Sequence, residues 1–239
     1  MREYRWLLMD ADNTLFDFNA AEEFALTRTL LHYGISPTEE AKASYHAINN
    51  ALWAASDQGK ITQQALMNER FVRFFEARGI QGNSAEWNQF FLEQLSQCSV
   101  LLPGAEALCR KLSQKYILAL CTNSAAPFVA RRRLANSPLA RFFGDRVFIS
   151  GEMGCHKPEK AYFDKVLETL GATKHKADVL VIGDSLTSDI RGAFNSRLDS
   201  VWLRWPTAKA GPVYPTYQVD NLAQLGELLE NKKFPFTLR

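Results

Sequence analysis

Short apolar runs bounded by polar or turn residues recur at residues 6–9, 117–121, 147–149, 179–182 and 201–203. Runs of this length without alternation fit strands buried on both faces. Between and after them lie segments with helical periodicity, at 105–116, 127–135, 159–170 and 189–195. The third is the clearest: Pro158 suits a helix start, Phe163, Val166, Leu167 and Leu170 fall at i, i+3, i+4 and i+7, and Gly171 can end it. Strands alternating with helices predict right-handed crossovers and one parallel sheet, an α/β core of the Rossmann-like kind. Beyond the fifth strand, Pro206, Pro212 and Pro215 predict irregular chain over 205–217, and a closing helix over 221–230 buries Leu222, Leu225, Leu228 and Leu229.

Residues 20–98 read differently, as four helical segments with no strand. The breaks at 33–37, 57–60 and 78–82 each hold a Gly or Pro where a helix would stop. This stretch is an all-helical insertion between the first and second strands. Its aromatics Phe71, Phe74, Phe75, Trp87, Phe90 and Phe91 recur at near-helical spacing, which suits a core of its own better than a ligand-stacking surface.

Composition narrows the partners. The 239 residues are 46% hydrophobic and 23% charged, so the chain can bury a core and is not a disordered or low-complexity protein. Lys and Arg number 28 against 26 Asp and Glu, a net charge of +2, which does not suit a nucleic acid polymer as partner. No apolar stretch is long enough for a membrane span, and Asp10 interrupts the only N-terminal apolar run, so no export signal is expected. Cys98, Cys109, Cys121 and Cys155 form no Cys-x-x-Cys pair and have no His at metal-ligand spacing, which suits a reduced, cytoplasmic protein. Cys155, beside His156 and Lys157, reads as an ordinary small residue rather than a reactive thiol.

The chemistry-bearing residues follow the strands. Asp10 ends the first, where ligands bind in open α/β sheets, and a carboxylate there can attack phosphorus or hold Mg²⁺. Asp12, two residues on, can serve as general acid and then base. Thr122 and Asn123 end the second strand and can donate hydrogen bonds to phosphoryl oxygens. Lys157 follows the third, and Asp184 and Asp189 the fourth; Asp189 also suits an N-cap for the helix after it. Each group alone is equally good turn, cap or surface material. Together they would converge on one sheet edge, where four carboxylates facing one lysine call for a cation.

Asp10-x-Asp12-x-Thr14, Thr122-Asn123, Lys157-Pro158 and Gly183-Asp184-x-x-x-x-Asp189, in that order, closely resemble the four motifs of the haloacid dehalogenase-like (HAD) phosphohydrolases. The resemblance implies a catalytic core from residues 1–16 and 100–239 and a helical cap over 17–99. Residues 10–16, Leu52-Trp53, Gly59-Lys60-Ile61-Thr62 and Pro103-Gly104-Ala105 look most like the pyrimidine 5′-nucleotidase branch. That implies hydrolysis of nucleoside monophosphates such as dUMP, UMP and dTMP, with Mg²⁺ as cofactor and a monomer or homodimer as the assembly. By motif, Asp10 is the nucleophile and a metal ligand, and Asp12 the acid/base whose carbonyl also binds the metal. Thr122, Asn123 and Lys157 hold the phosphoryl group, and Asp184 and Asp189 complete the metal shell. Phe18 and Lys60 are candidates for substrate specificity. Asp12 argues against the dehalogenases themselves, which have no phosphoester leaving group to protonate. Ser124 and Arg197 stand where relatives commonly carry Gly. Two other readings stay open: a phosphatase for a sugar phosphate or phosphoglycolate, and a receiver-like phosphoacceptor module, although the latter is about half this length and has no helical insertion.

Overall fold

The structure is a computed structural model that describes residues 3–206 and 215–231. In chain order the elements are β1 (Trp6–Met9), α1 (Phe18–His32), α2 (Glu39–Asp57), α3 (Gln63–Arg78), α4 (Ser84–Gln97), α5 (Ala105–Leu112), β2 (Ile117–Thr122) and α6 (Pro127–Ala135). They continue as α7 (Ala140–Phe143), β3 (Val147–Ile149), α8 (Ser150–Met153), α9 (Lys160–Thr169), β4 (Val179–Gly183), α10 (Arg191–Ser196), β5 (Asp199–Leu203), β6 (Tyr217–Val219) and α11 (Leu222–Asn231). The fold is α/β. Its six strands are parallel and lie in the order β3, β2, β1, β4, β5, β6.

The five anticipated strands form, and β6 adds a sixth on the edge. It was not legible because Tyr-Gln-Val is too short to display a period of two, and it exists only through its pairing with β5. Pro212 and its neighbours at 207–214 lie outside the described residues. Met9 pairs with both Leu120 and Ile182, which brings the carboxyl ends of β1, β2 and β4 level. Strand order reverses between β1 and β4, so the residues after these two strands flank the switch point where ligands of such sheets bind.

The chain divides into two compact units. One contains the sheet and comprises the residues up to Asp17, Leu101–Asn123 and those from Ser137 onward; the other is Phe18–Val100 with Ser124–Asn136. The sequence division gave residues 124–136 to the sheet-bearing core, and the structure differs. Ala126 and Val129 are buried in the helical unit's core, and Arg133 Nε on α6 donates to the Cys98 carbonyl at 3.0 Å. The sequence hid this because α6 follows β2, as any crossover helix would.

Within the helical unit Phe71, Phe74 and Phe91 are fully buried and pack on Tyr45, while Phe90 stacks on His32. Thr38 and Thr62 cap α2 and α3, each accepting from a backbone N–H of the first turn. In the sheet unit, the two connections to the insertion leave side by side: Leu102 N–H donates to the Leu15 carbonyl, and Phe16 bridges Leu101.

Arg197 ends α10 at φ 58°, with Leu198 N–H closing on the Ala193 carbonyl at 2.9 Å. This is a left-handed C-terminal cap, for which glycine has no Cβ penalty. Arg197→Gly is therefore expected to stabilise the protein by ~0.5–1 kcal/mol, because the exposed arginine side chain contributes less than the strain costs. A melting temperature at or below that of the parent protein would refute this.

Candidate active site

The loop after β1 is built on its own backbone. Leu15 and Phe16 N–H both donate to the Ala11 carbonyl, and Asn13 N–H donates to that of Phe16. Asn13 takes the left-handed conformation, φ 56°, that asparagine tolerates. Asp10 is buried at the head of this loop, its N–H bonded to the Ile182 carbonyl of β4.

Lys157 reaches it from the segment between α8 and α9. Its side chain is 2% exposed, and its three ammonium protons are matched by three acceptors: Asp10 Oδ1 at 2.6 Å, Asp189 Oδ1 at 2.6 Å and the Cys121 carbonyl at 2.8 Å. A buried ammonium costs several kcal/mol unless paired. Here the pairing more than compensates, and its acidity is shifted so that it stays charged. Burial pushes the Asp10 carboxyl up to about 7 against the pull of Lys157, with Asp189 and Asp12 adding to the rise. Asp184 is shifted well upward for the same first cause, burial, followed by repulsion from Asp10 and Asp189. One oxygen from each of Asp10, Asp184 and Asp189 lies within 4.8 Å of the others. Crowded carboxylates that resist ionisation fit a hard divalent cation, which takes oxygen ligands and supplies the missing positive charge. The Asp12 carboxylate stands outside this group.

Asp189 is held at both ends. Oδ1 meets Lys157, and Oδ2 accepts from the Ser185 N–H at 3.1 Å, in a π-helical turn over Leu186–Ile190. The N-cap role expected of Asp189 falls instead to Ser185, whose hydroxyl accepts from Ser188 N–H. Gly183 makes room for this arrangement: a Cβ there would sit 2.2 Å from Asp189 Oδ2 and 2.6 Å from its Cβ. Gly183→Ala is thus expected to cost about 1–3 kcal/mol and to displace Asp189, lowering affinity for any divalent cation the three carboxylates hold. Chemical denaturation and calorimetric titration read the two effects; an unchanged profile in both would refute the steric account.

Asn123 lies beside Lys157, with its carboxamide on the Lys157 backbone. Thr122 is buried at the end of β2. Ser124 donates to the Ala126 carbonyl, turned into its own turn. Phe18 and Lys60 belong to the helical unit: Phe18 lies 5.7 Å beneath the Arg133 guanidinium, and Lys60 is exposed in the turn after α2. Burial pushes the Cys155 thiol up, the direction of an inert side chain. Two residues were missed in the sequence. Trp202 Nε1 donates to the Asp184 carbonyl at 2.8 Å and Trp205 Nε1 to the Asn13 carbonyl at 2.9 Å, so each indole pins a site loop. The need of a buried indole N–H for a partner was the available signal.

A parallel sheet whose strand ends bring two of three clustered carboxylates against one buried lysine defines a hydrolase class. The chain belongs to the haloacid dehalogenase-like hydrolases, whose family profile matches residues 4–196. Among its relatives, the pyrimidine 5′-nucleotidase PynA of Streptococcus pneumoniae is 36% identical over 228 residues, 92% of this chain and 93% of that one. The pyrimidine 5′-nucleotidase YjjG of Escherichia coli is 31% identical, covering 95% and 98%. The crystal structure of Bacillus subtilis YfnB bound to magnesium matches with a TM-score of 0.89 at 35% identity, over 95% of this chain and 99% of that one. Among the described residues, no helix is long and apolar enough to cross a membrane.

Proposed function

We propose that this hydrolase is a Mg²⁺-dependent phosphomonoesterase that removes phosphate from nucleoside 5′-monophosphates, with pyrimidines such as dUMP, UMP and dTMP preferred. The observation that carries the chemistry is Asp10, a buried carboxylate at the switch point with Oδ1 fixed by Lys157. The names of PynA and YjjG support the substrate class.

Asp10 Oδ2 forms the new bond to phosphorus while the bond to the ester oxygen breaks, and Asp12 gives its proton to the departing alkoxide. Asp12 then takes a proton from water as that water attacks phosphorus, releasing inorganic phosphate and restoring the Asp10 carboxylate. Thr122 offers its hydroxyl to the phosphoryl oxygens. Asp10, Asp184 and Asp189, with the Asp12 carbonyl, would hold Mg²⁺, which supplies charge neutralisation for the incoming phosphate dianion. Phe18 and Lys60, in the proposed cap over residues 17–99, are the proposed specificity positions. The protein would work in the cytoplasm as a monomer or homodimer.

Phosphate release with Mg²⁺ from dUMP, UMP, dTMP, purine monophosphates, sugar phosphates and phosphoglycolate tests the reading. Fastest turnover on the pyrimidines, abolished by EDTA, is expected. A clear preference for a sugar phosphate overturns the nucleotidase assignment, and a phospho-Asp10 stable for minutes overturns the hydrolase chemistry in favour of a receiver-like module.

A further inference from the structure

Lys157 is tied at its base as well as at its tip. The Asn123 carboxamide spans its peptide groups: Oδ1 accepts from the Lys157 N–H at 2.9 Å, and Nδ2 donates to the Lys157 carbonyl at 2.9 Å. The same carbonyl lies 3.0 Å from His156 Nδ1, whose Nε2 is 2.8 Å from Glu159. A carboxamide bonded to both the donor and the acceptor of one residue can hold only one orientation, and it locks that residue's backbone as a strand partner would. The clamp joins the end of β2 to a segment 34 residues away. From that fixed backbone the ammonium reaches Asp10, Asp189 and the Cys121 carbonyl, with no proton left over for a further acceptor.

We propose that Asn123 is a positioning residue for Lys157: its side chain sets the backbone from which the ammonium orients the Asp10 nucleophile, and acts through Lys157 rather than by gripping the phosphoryl group. The inference rests on the phosphomonoesterase reading for its kinetic consequence and on the contact alone for its structural one. A side chain that gripped the bound phosphate would show itself in KM. One that orients the nucleophile through Lys157 shows itself in kcat, because small misplacements of a reacting group cost on the order of 10- to 100-fold.

Asn123→Ala tests both consequences. Amide hydrogen exchange, read by NMR without substrate, is expected to accelerate at Lys157 by at least ~10-fold while the amides of Leu8 and Val181 in the central strands stay as they were. Turnover of p-nitrophenyl phosphate with Mg²⁺ is expected to lose about 10- to 100-fold in kcat with KM within about threefold. Unchanged exchange at Lys157 overturns the clamp, whether or not the protein is a phosphatase. A raised KM with kcat preserved overturns the positioning role. If the parent protein releases no phosphate from any ester, the functional reading fails on its own and the exchange result still decides the clamp.

Discussion

Asp10→Asn should lower phosphate release by at least ~10³-fold while leaving the protein folded, because the substitution removes the proposed nucleophile and almost nothing else. Asparagine is isosteric, and its Oδ1 still accepts from the Lys157 ammonium, which keeps Asp189 and the Cys121 carbonyl as further partners. The carboxyl it replaces is one that burial already pushes up to about 7, so the neutral amide removes a desolvation cost. The metal-free melting temperature should therefore stay level or rise. Substrate binding without turnover would separate loss of chemistry from loss of the site. Full turnover in this variant would eliminate Asp10 as nucleophile and with it the proposed mechanism.

Lys157→Met carries the largest effect on stability. Methionine fills much of the volume of the lysine stem, yet Asp10 and Asp189, each 2.6 Å from the ammonium, would be left facing one another without a cation. Breaking a buried pair by removing one partner costs about 3–5 kcal/mol. The sign of the pH dependence follows from linkage. Asp10 and Asp184 titrate above their ordinary range when folded, so the folded state binds more protons than the unfolded one and stability falls as pH rises through that window. Removing the lysine raises those carboxyls further, so the deficit relative to the parent protein should be larger near pH 8 than near pH 5 in EDTA, and Mg²⁺ should recover part of it. Urea denaturation at the two pH values reads this directly. A variant as stable as the parent near pH 8 without metal would show that the ammonium does not balance the carboxylates.

Much of this protein is legible in its sequence. The bounds of β1 and α6 match the hydrophobic pattern residue for residue, because a buried parallel strand must be continuously apolar and Pro127 sets a helix start. The pattern also placed Asp10, Thr122 and Asp184 at the carboxyl ends of strands, and β1, β2 and β4 end at or beside them. The membership of α6 in the helical unit was not legible, since Ala126 and Val129 would suit either core. Nor was β6, which pairs but does not pattern. The capping role of Ser185 went unseen because Asp189 was the stronger local candidate, and a buried ion pair outcompeted the cap for its carboxylate.

Periodicity and residue chemistry are local properties, so the order of residues alone encodes the alternation of strands and helices, the helical insertion and the identity of the charged groups at the strand ends. The tertiary structure alone decided how those groups share their bonds: three carboxylates close enough for one cation, a lysine with all three protons committed, a glycine kept bare so that Asp189 can fit, and an asparagine spent on the lysine's backbone. Hydrogen-bond partners, burial and the carboxyl shifts they cause depend on which distant segments meet, and no spacing along the chain encodes that distance.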